Sequence, residues 1–79
     1  MKLLVRNLSR STTEQEIRVL FSEHGSVTQC TLVLDKETGL SKGFGFVEMP
    51  NEKEAKTALS KLHEIRVAKN RIRVKMAQE

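Results

Sequence analysis

Two kinds of apolar spacing alternate along the chain. Short runs with a two-residue period or with many β-branched residues predict strands, because successive side chains of a strand point to opposite faces. We expect strands at residues 2–6, 27–34, 43–49 and 71–76. Two intervening stretches repeat apolar residues three and four positions apart, which predicts helices that each bury one face.

Capping residues mark the start of both predicted helices. Thr13 and Glu16 have the spacing of a capping box, in which each side chain bonds the backbone of the other residue. Gly25 follows the first helical stripe and is expected to end that helix as its C′ residue. Asn51 and Glu54 repeat the cap spacing before the second helix.

The predicted order of elements is β-α-β-β-α-β. Amphipathic helices and half-buried strands cover each other's apolar surface when both helices lie on one face of an antiparallel sheet. This order is that of the ferredoxin-like βαββαβ sandwich, an α+β fold with a four-stranded sheet. The first and third strands then form the central pair, and residues 63–70 form an irregular connection. One domain over residues 1–79 is expected, because a chain of this length supports one small core.

Alternation along the strands predicts two very different sheet faces. The face toward the helices is apolar and receives Leu3, Val5, Cys30, Leu32, Leu34, Val47, Met49, Ile72 and Val74. The opposite face is basic, yet it carries Phe44 and Phe46 at its centre. It also receives Lys2, Leu4, Arg6, Thr31, Val33, Lys42, Glu48, Arg71, Arg73 and Lys75. Exposed rings add little to a core, whereas stacking on nucleobases gives them a function. A register shifted by one residue would bury both rings instead.

The charges are expected to separate between the two sides of the domain. The chain has 14 Lys and Arg residues against 10 Asp and Glu residues, a formal net charge of +4. The acidic residues that fall on or beside the predicted helices are Glu14, Glu16, Glu23, Glu52, Glu54 and Glu64. The sheet face is therefore more positive than the net charge indicates, which favours a polyanion as partner. The alternative for the last strand is a charged edge that prevents aggregation.

Several classes of site are excluded by composition. The single cysteine, Cys30, allows no internal disulfide and no zinc finger. A small domain without disulfide bonds is typical of an intracellular protein. His24 and His63 have no partners at metal-ligand spacing, and no phosphate-binding loop is present. No apolar stretch is long enough to cross a membrane. We expect no catalytic residue, no metal, no cofactor and no membrane partner.

The third predicted strand contains an eight-residue motif. Its sequence, Lys42-Gly43-Phe44-Gly45-Phe46-Val47-Glu48-Met49, resembles the ribonucleoprotein motif of the RNA recognition motif family, K/R-G-F/Y-G/A-F-V-x-F/Y. The first strand, Leu3-Leu4-Val5-Arg6-Asn7-Leu8, is similar to the six-residue partner motif of that family. The spacing of the two motifs and the order of elements agree with the family along essentially the whole chain.

The resemblance implies roles for individual residues. Phe44 and Phe46 would stack on bases or sugars, and Lys42 would pair with a phosphate. Leu4 departs from the aromatic residue that the family usually carries there, which removes one stacking platform. Asn7 either supports the adjacent loops or is a turn residue. The expected RNA-binding residues are Lys2, Leu4, Arg6, Asn7, Lys42, Phe44, Phe46, Arg71, Arg73 and Lys75.

The function implied is non-catalytic binding of single-stranded RNA, with single-stranded DNA as an open alternative, in RNA metabolism or post-transcriptional regulation. Two other functions compete with it. The domain could hold a peptide on its sheet or on a helix, or act as a small enzyme. Acylphosphatases share this fold class and use an arginine loop and an asparagine, and Asn7 and Arg10 lie in the first loop. The chain also resembles short stand-alone bacterial proteins with one such motif, which implies the cytoplasm, or the nucleus for a domain excised from a eukaryotic protein.

Overall fold

A computed structural model of the chain describes residues 1–77 and contains the predicted four-stranded sheet with two helices. The helices are Glu14–Ser22 (α1) and Glu52–Leu62 (α2). The strands are Lys2–Arg6 (β1), Gln29–Leu34 (β2), Ser41–Glu48 (β3), Arg66–Val67 (β4), Asn70–Arg71 (β5) and Arg73–Ala77 (β6). Within residues 1–77, neither helix has the length and apolar character needed to cross a membrane.

The main sheet has the strand order β2-β3-β1-β6, and all of its neighbouring strands are antiparallel. The ferredoxin-like fold class is therefore confirmed, with β1 and β3 as the central pair. Opposite residues in this pair include Leu4 with Phe46 and Leu3 with Val47. Because faces alternate along a strand, this register sends Leu3 and Val47 into the core and Phe46 to the open face.

Both helices begin where the cap spacing predicts. The Glu16 N–H donates to Thr13 Oγ1 at 3.2 Å, and the Thr13 N–H donates to Glu16 Oε1 at 3.2 Å. At α2, the Glu54 N–H donates to Asn51 Oδ1 at 2.9 Å. Each contact satisfies a backbone N–H that the first helical turn leaves without a partner.

The end of α1 differs from the prediction. The helix stops at Ser22 with Glu23 as its C-cap, so Gly25 lies beyond the C′ position. Gly25 is required for another reason, since it has a φ of +156° and a β-carbon there would come within 2.6 Å of the Glu54 side chain. The turn after α1 thus packs directly against the first turn of α2.

The core lies between the helices and the sheet. Its buried members are Leu3, Val5, Leu8, Ile17, Phe21, Cys30, Val47, Met49, Ala55, Ala58, Leu62, Ile72 and Val74. The apolar stripes of the two predicted helices place Phe21 and Leu59 in this core. Phe21 is completely buried, whereas Leu59 is only half-buried at the margin. Cys30 is a core residue, and its burial raises the pKa of the thiol above its ordinary value.

Leu34 does not face the helices as predicted. Its side chain is 51% exposed, and the β2–β3 register shifts between Leu32 and Leu34. An irregularity of this kind breaks the strict alternation of faces, so residues beyond it no longer follow the pattern set by Cys30.

Residues 63–70 are more ordered than the sequence predicts. β4 and β5 form a short hairpin in which Val67 pairs with Asn70. The two residues between them, Ala68 and Lys69, have positive φ values of 50° and 73°. Arg71 belongs to this hairpin, and the last strand of the main sheet begins only at Arg73.

Candidate nucleic-acid interface

The two phenylalanines of β3 form the centre of the open sheet face. Phe44 and Phe46 alternate with Gly45, and both rings are half-buried and outside the core. Their centroids are 6.4 Å apart and their planes meet at 84°, an edge-to-face pair. The register that buries the rings is therefore wrong, and the register that exposes them is confirmed.

Phe46 has a different neighbour on each side. It lies opposite Leu4 on β1 and opposite Thr31 on β2. Leu4 is half-buried and offers apolar contact without a ring, whereas Thr31 is exposed and offers a hydroxyl. A base stacked on Phe46 would thus meet an apolar neighbour on one side and a polar neighbour on the other.

Lys2 lies directly over this ring. Its Nζ is 5.3 Å from the Phe46 ring centroid, within the range of a cation–π contact. A depression of about 150 Å³ beside the ring is lined by Lys2, Gln29, Thr31, Phe46 and Glu48. Lys2 and Gln29 are the cross-strand neighbours of Glu48, so this end of the face carries groups of both charge signs.

The opposite end of the face is cationic. Arg6 and Arg73 lie opposite each other on β1 and β6 and are both exposed. Together with Asn7 they line an open depression of about 360 Å³. Like charges placed directly opposite each other are unfavourable, and a bound anion such as a phosphate would relieve their repulsion.

The remaining cations border the face at different places. Lys75 is exposed and lies opposite Leu4, so it flanks the stacking surface from β6. Lys42 is exposed near the start of β3. Arg71 is exposed in the short hairpin, and the prediction that it shares a strand with Arg73 and Lys75 is wrong.

Asn7 joins that hairpin to the end of β1. Its Nδ2 donates to the Arg71 carbonyl oxygen at 2.8 Å, and Asn70 Nδ2 donates to the Asn7 carbonyl oxygen at 3.2 Å. Asn7 has a φ of +58°, a conformation that asparagine tolerates better than most residues. The two hydrogen bonds agree with a supporting role for Asn7 and hold the Arg71 backbone near Arg6.

The neighbouring strand β2 leaves no room for a side chain at Gly45. A β-carbon at Gly45 would lie 2.5 Å from the Thr31 carbonyl oxygen and 3.2 Å from Leu32 Cα. In the structure the closest constraint is the backbone of β2, so glycine permits the close approach of β2 and β3.

Three residues of the depression beside Phe46 were absent from the expected binding set. Alternation predicts the correct face for Thr31 and Glu48 but gives neither a role, and the predicted face does not include Gln29. Strand alternation could have included Gln29, because it is two residues before Thr31 and residues two apart in a strand share a face. Their proximity to one ring, however, depends on the β2–β3 register.

Acidic residues lie mainly on the helical side. Glu14 and Glu16 are in α1, and Glu52 and Glu54 are in α2. Glu14 Oε2 accepts from the Leu32 N–H at 3.1 Å and thereby covers part of the sheet edge at β2. In the part of the chain that the structure describes, no cluster of three or more side chains is arranged to bind a metal ion.

The sequence has known relatives. A family model described as RNA recognition motif matches residues 3–73. Glycine-rich RNA-binding protein 1 of Mycosarcoma maydis is 42% identical over 76 residues, which cover 96% of this chain and 43% of that protein. The chloroplastic RNA-binding protein CP31B of Arabidopsis thaliana is 40% identical over 78 residues, which cover 99% of this chain and 27% of that protein. The chain thus spans less than half the length of these two relatives.

Solved structures show the same likeness in three dimensions. The crystal structure of RNA Binding Protein PG1 has a TM-score of 0.97 and 37% identity, covering 100% of this chain and 95% of that chain. The Sxl-lethal protein/RNA complex has a TM-score of 0.93 and 31% identity, covering 99% of this chain and 47% of that chain. The likeness to RNA-binding proteins therefore holds for both the sequence and the backbone of this chain, as the motifs on β1 and β3 predict.

Proposed function

Since the chain belongs to the RNA recognition motif family, we propose that residues 1–79 act as one domain that binds single-stranded RNA on the open face of its sheet. The observation that carries this proposal is the Phe44–Phe46 pair on that face, bordered by cations. Stacking contributes about 1–3 kcal/mol per base. Basic side chains add affinity by neutralising phosphates and releasing counterions.

The proposed roles follow the geometry of the face. Phe46 and Phe44 stack on bases or sugars, and Leu4 adds apolar contact beside Phe46. Asn7 supports the loops through its hydrogen bonds to the hairpin. The phosphate-binding cations are Lys2, Arg6, Lys42, Arg71, Arg73 and Lys75. Two rings suit a short segment of about two to four nucleotides, because the aromatic residues on such a sheet stack two or three bases.

The chain is a binding module, not an enzyme, since the matched family and the names of the relatives describe RNA-binding proteins. The small-enzyme alternative is therefore wrong. A role in RNA metabolism or post-transcriptional regulation and a cytoplasmic location belong to our proposal. An organelle is the competing location, because one relative is chloroplastic by name.

A chemical-shift titration tests the binding surface. We expect amide signals of β1 and β3 to move on addition of random-sequence RNA oligomers, with smaller changes in α1 and α2. A matched DNA series tests whether the 2′-hydroxyl contributes, because stacking and phosphate contacts serve both nucleic acids. Shifts confined to the helices would contradict the proposal and favour the protein-interaction alternative.

Salt should weaken binding in a graded way. If three or four of the cations on the face neutralise phosphates, log K should fall with log salt concentration with a slope of about −2 to −3, from about 0.7 per phosphate for single strands. Fluorescence anisotropy with a labelled oligonucleotide at several salt concentrations measures this slope. A slope near zero would show that the cations do not contact phosphates.

Leu4→Tyr should tighten binding. Leu4 lies opposite Phe46 on the open face, so a ring there would add a stacking surface that leucine lacks. We expect a gain of about 1 kcal/mol, or roughly fivefold in affinity. Val19→Tyr is the matched control, because Val19 is 54% exposed on α1 and away from the sheet face. An equal gain from both variants would show that added apolar surface, and not stacking beside Phe46, is responsible.

A further inference from the structure

The polar depression beside Phe46 offers more than a stacking surface. It lies between β1, β3 and β2 and has a volume of about 150 Å³. A cavity of about 150 Å³ accepts one benzene ring, so this depression has room for the edge of one nucleobase. A base reaches it only when RNA lies on this face, so the inference rests on the proposed function.

Glu48 supplies two acceptor oxygens to this depression. Its Oε1 forms an ion pair with the amino-terminal ammonium at 3.7 Å, a distance longer than that of a hydrogen bond. The amino terminus donates instead to the Met49 carbonyl oxygen at 2.8 Å. The side chain of Glu48 is 28% exposed, so its carboxylate keeps acceptor capacity that a ligand can use.

Lys2 and Gln29 supply donors on either side of that carboxylate. They are its cross-strand neighbours on β1 and β2. The Lys2 ammonium, 5.3 Å from the Phe46 centroid, lies where a stacked base would lie. A base must therefore displace it, and the flexible stem of Lys2 lets the ammonium move to the edge of that base. The Gln29 amide is exposed and both donates and accepts hydrogen bonds.

Guanine presents the edge that complements these groups. Its N1–H and N2 amino group are adjacent donors that match the two oxygens of a carboxylate, and its O6 accepts from an ammonium. Adenine and cytosine place a ring-nitrogen acceptor beside their amino group, and uracil has carbonyl oxygens on both sides of its N–H. Each of these bases therefore offers the carboxylate only one donor, and its second oxygen would face an acceptor, which is costly in a partly desolvated site.

We propose that Glu48, with Lys2 and Gln29 beside it, selects guanine as the base that stacks on Phe46. The carboxylate accepts from N1 and N2 of the base, and Lys2 donates to O6. The ring of Phe46 holds the base in place without distinguishing it from other bases, because every base has a π-face. Specificity and stacking strength are thus supplied by different side chains of one site.

The test compares short oligouridines that differ at one internal position. Guanine there should bind about tenfold or more tightly than adenine, cytosine or uracil, as for a good bidentate contact. Inosine, which lacks the N2 amino group, should lose most of that advantage with the unaltered protein. Glu48→Gln should remove most of the preference, because its amide nitrogen opposes the donors of guanine; the ratio of the affinities for the guanine-containing and plain oligouridines, measured with the same variant, reports this loss.

Glu52→Gln is the matched control, since it removes the same charge from α2 on the helical side and should retain the guanine preference. Equal affinity for all four bases would overturn the selection of guanine but leave RNA binding on the sheet intact. A guanine preference that survives Glu48→Gln would also overturn it. Failure of the unaltered protein to bind any oligonucleotide would instead remove the proposed function itself.

Discussion

Phe46→Ala is expected to weaken RNA binding by about 1–3 kcal/mol, or roughly 5- to 150-fold, with the fold intact. The ring is half-buried, contacts Phe44 edge-to-face, and lies between Leu4 and Thr31 at the centre of the open face. Its loss removes the main stacking platform without creating a cavity in the core. Isothermal titration calorimetry with an oligonucleotide, beside a thermal unfolding curve, measures both effects.

Val19→Ala provides the control for this substitution, because it truncates an exposed apolar side chain on the helical side. It should leave RNA affinity unchanged. If Phe46→Ala and Leu4→Tyr both left the affinity unchanged, the open sheet face would not be the binding surface. The protein-interaction alternative would then become the leading interpretation.

Alternation predicted the central part of the fold because each core strand has one strongly apolar face. Leu3 and Val5 on β1 face the helices, as does Val47 on β3, and all three are completely buried. A slip of one residue would have exposed all of them and buried the rings, so the register had one strongly favoured solution. The same argument predicted the position of Phe46.

Features that depend on backbone irregularity were not predictable. The β2–β3 register shift exposes Leu34 and places residues 42–44 of β3 opposite Val33 of β2, with Gly43 at a φ of +86°. A glycine within a strand is compatible with a bulge, but it does not by itself give the register on the far side. The hairpin turn at Ala68 and Lys69 requires positive φ at both residues, which short hairpins usually obtain from Asn-Gly or Asp-Gly. Without that signal, residues 63–70 had the composition of an irregular loop.

The depression beside Phe46 was missed for a different reason. Gln29 and Glu48 are ordinary polar residues in the sequence and lie far apart along the chain. Gln29 is outside both motifs, and Glu48 is at the variable position of the second motif. They become neighbours only through the pairing of β2 with β3. Local patterns therefore predict the stacking surface, whereas side chains that distinguish one base from another require the cross-strand register.

Gly45→Ala is expected to destabilise the fold by about 1–3 kcal/mol, as overpacking typically does, and to lower Tm on the order of 10 °C. The added β-carbon would lie 2.5 Å from the Thr31 carbonyl oxygen, so β2 and β3 would have to separate. Gly39→Asn is the control, because Gly39 has a φ of +74° with no atom within 4 Å of a β-carbon, and asparagine tolerates that conformation. Its Tm should be close to that of the unaltered protein. Differential scanning calorimetry of the three proteins measures these Tm values. Normal stability of Gly45→Ala with weakened RNA binding would instead mean that this glycine serves the approach of RNA, and the strand-spacing explanation would be wrong.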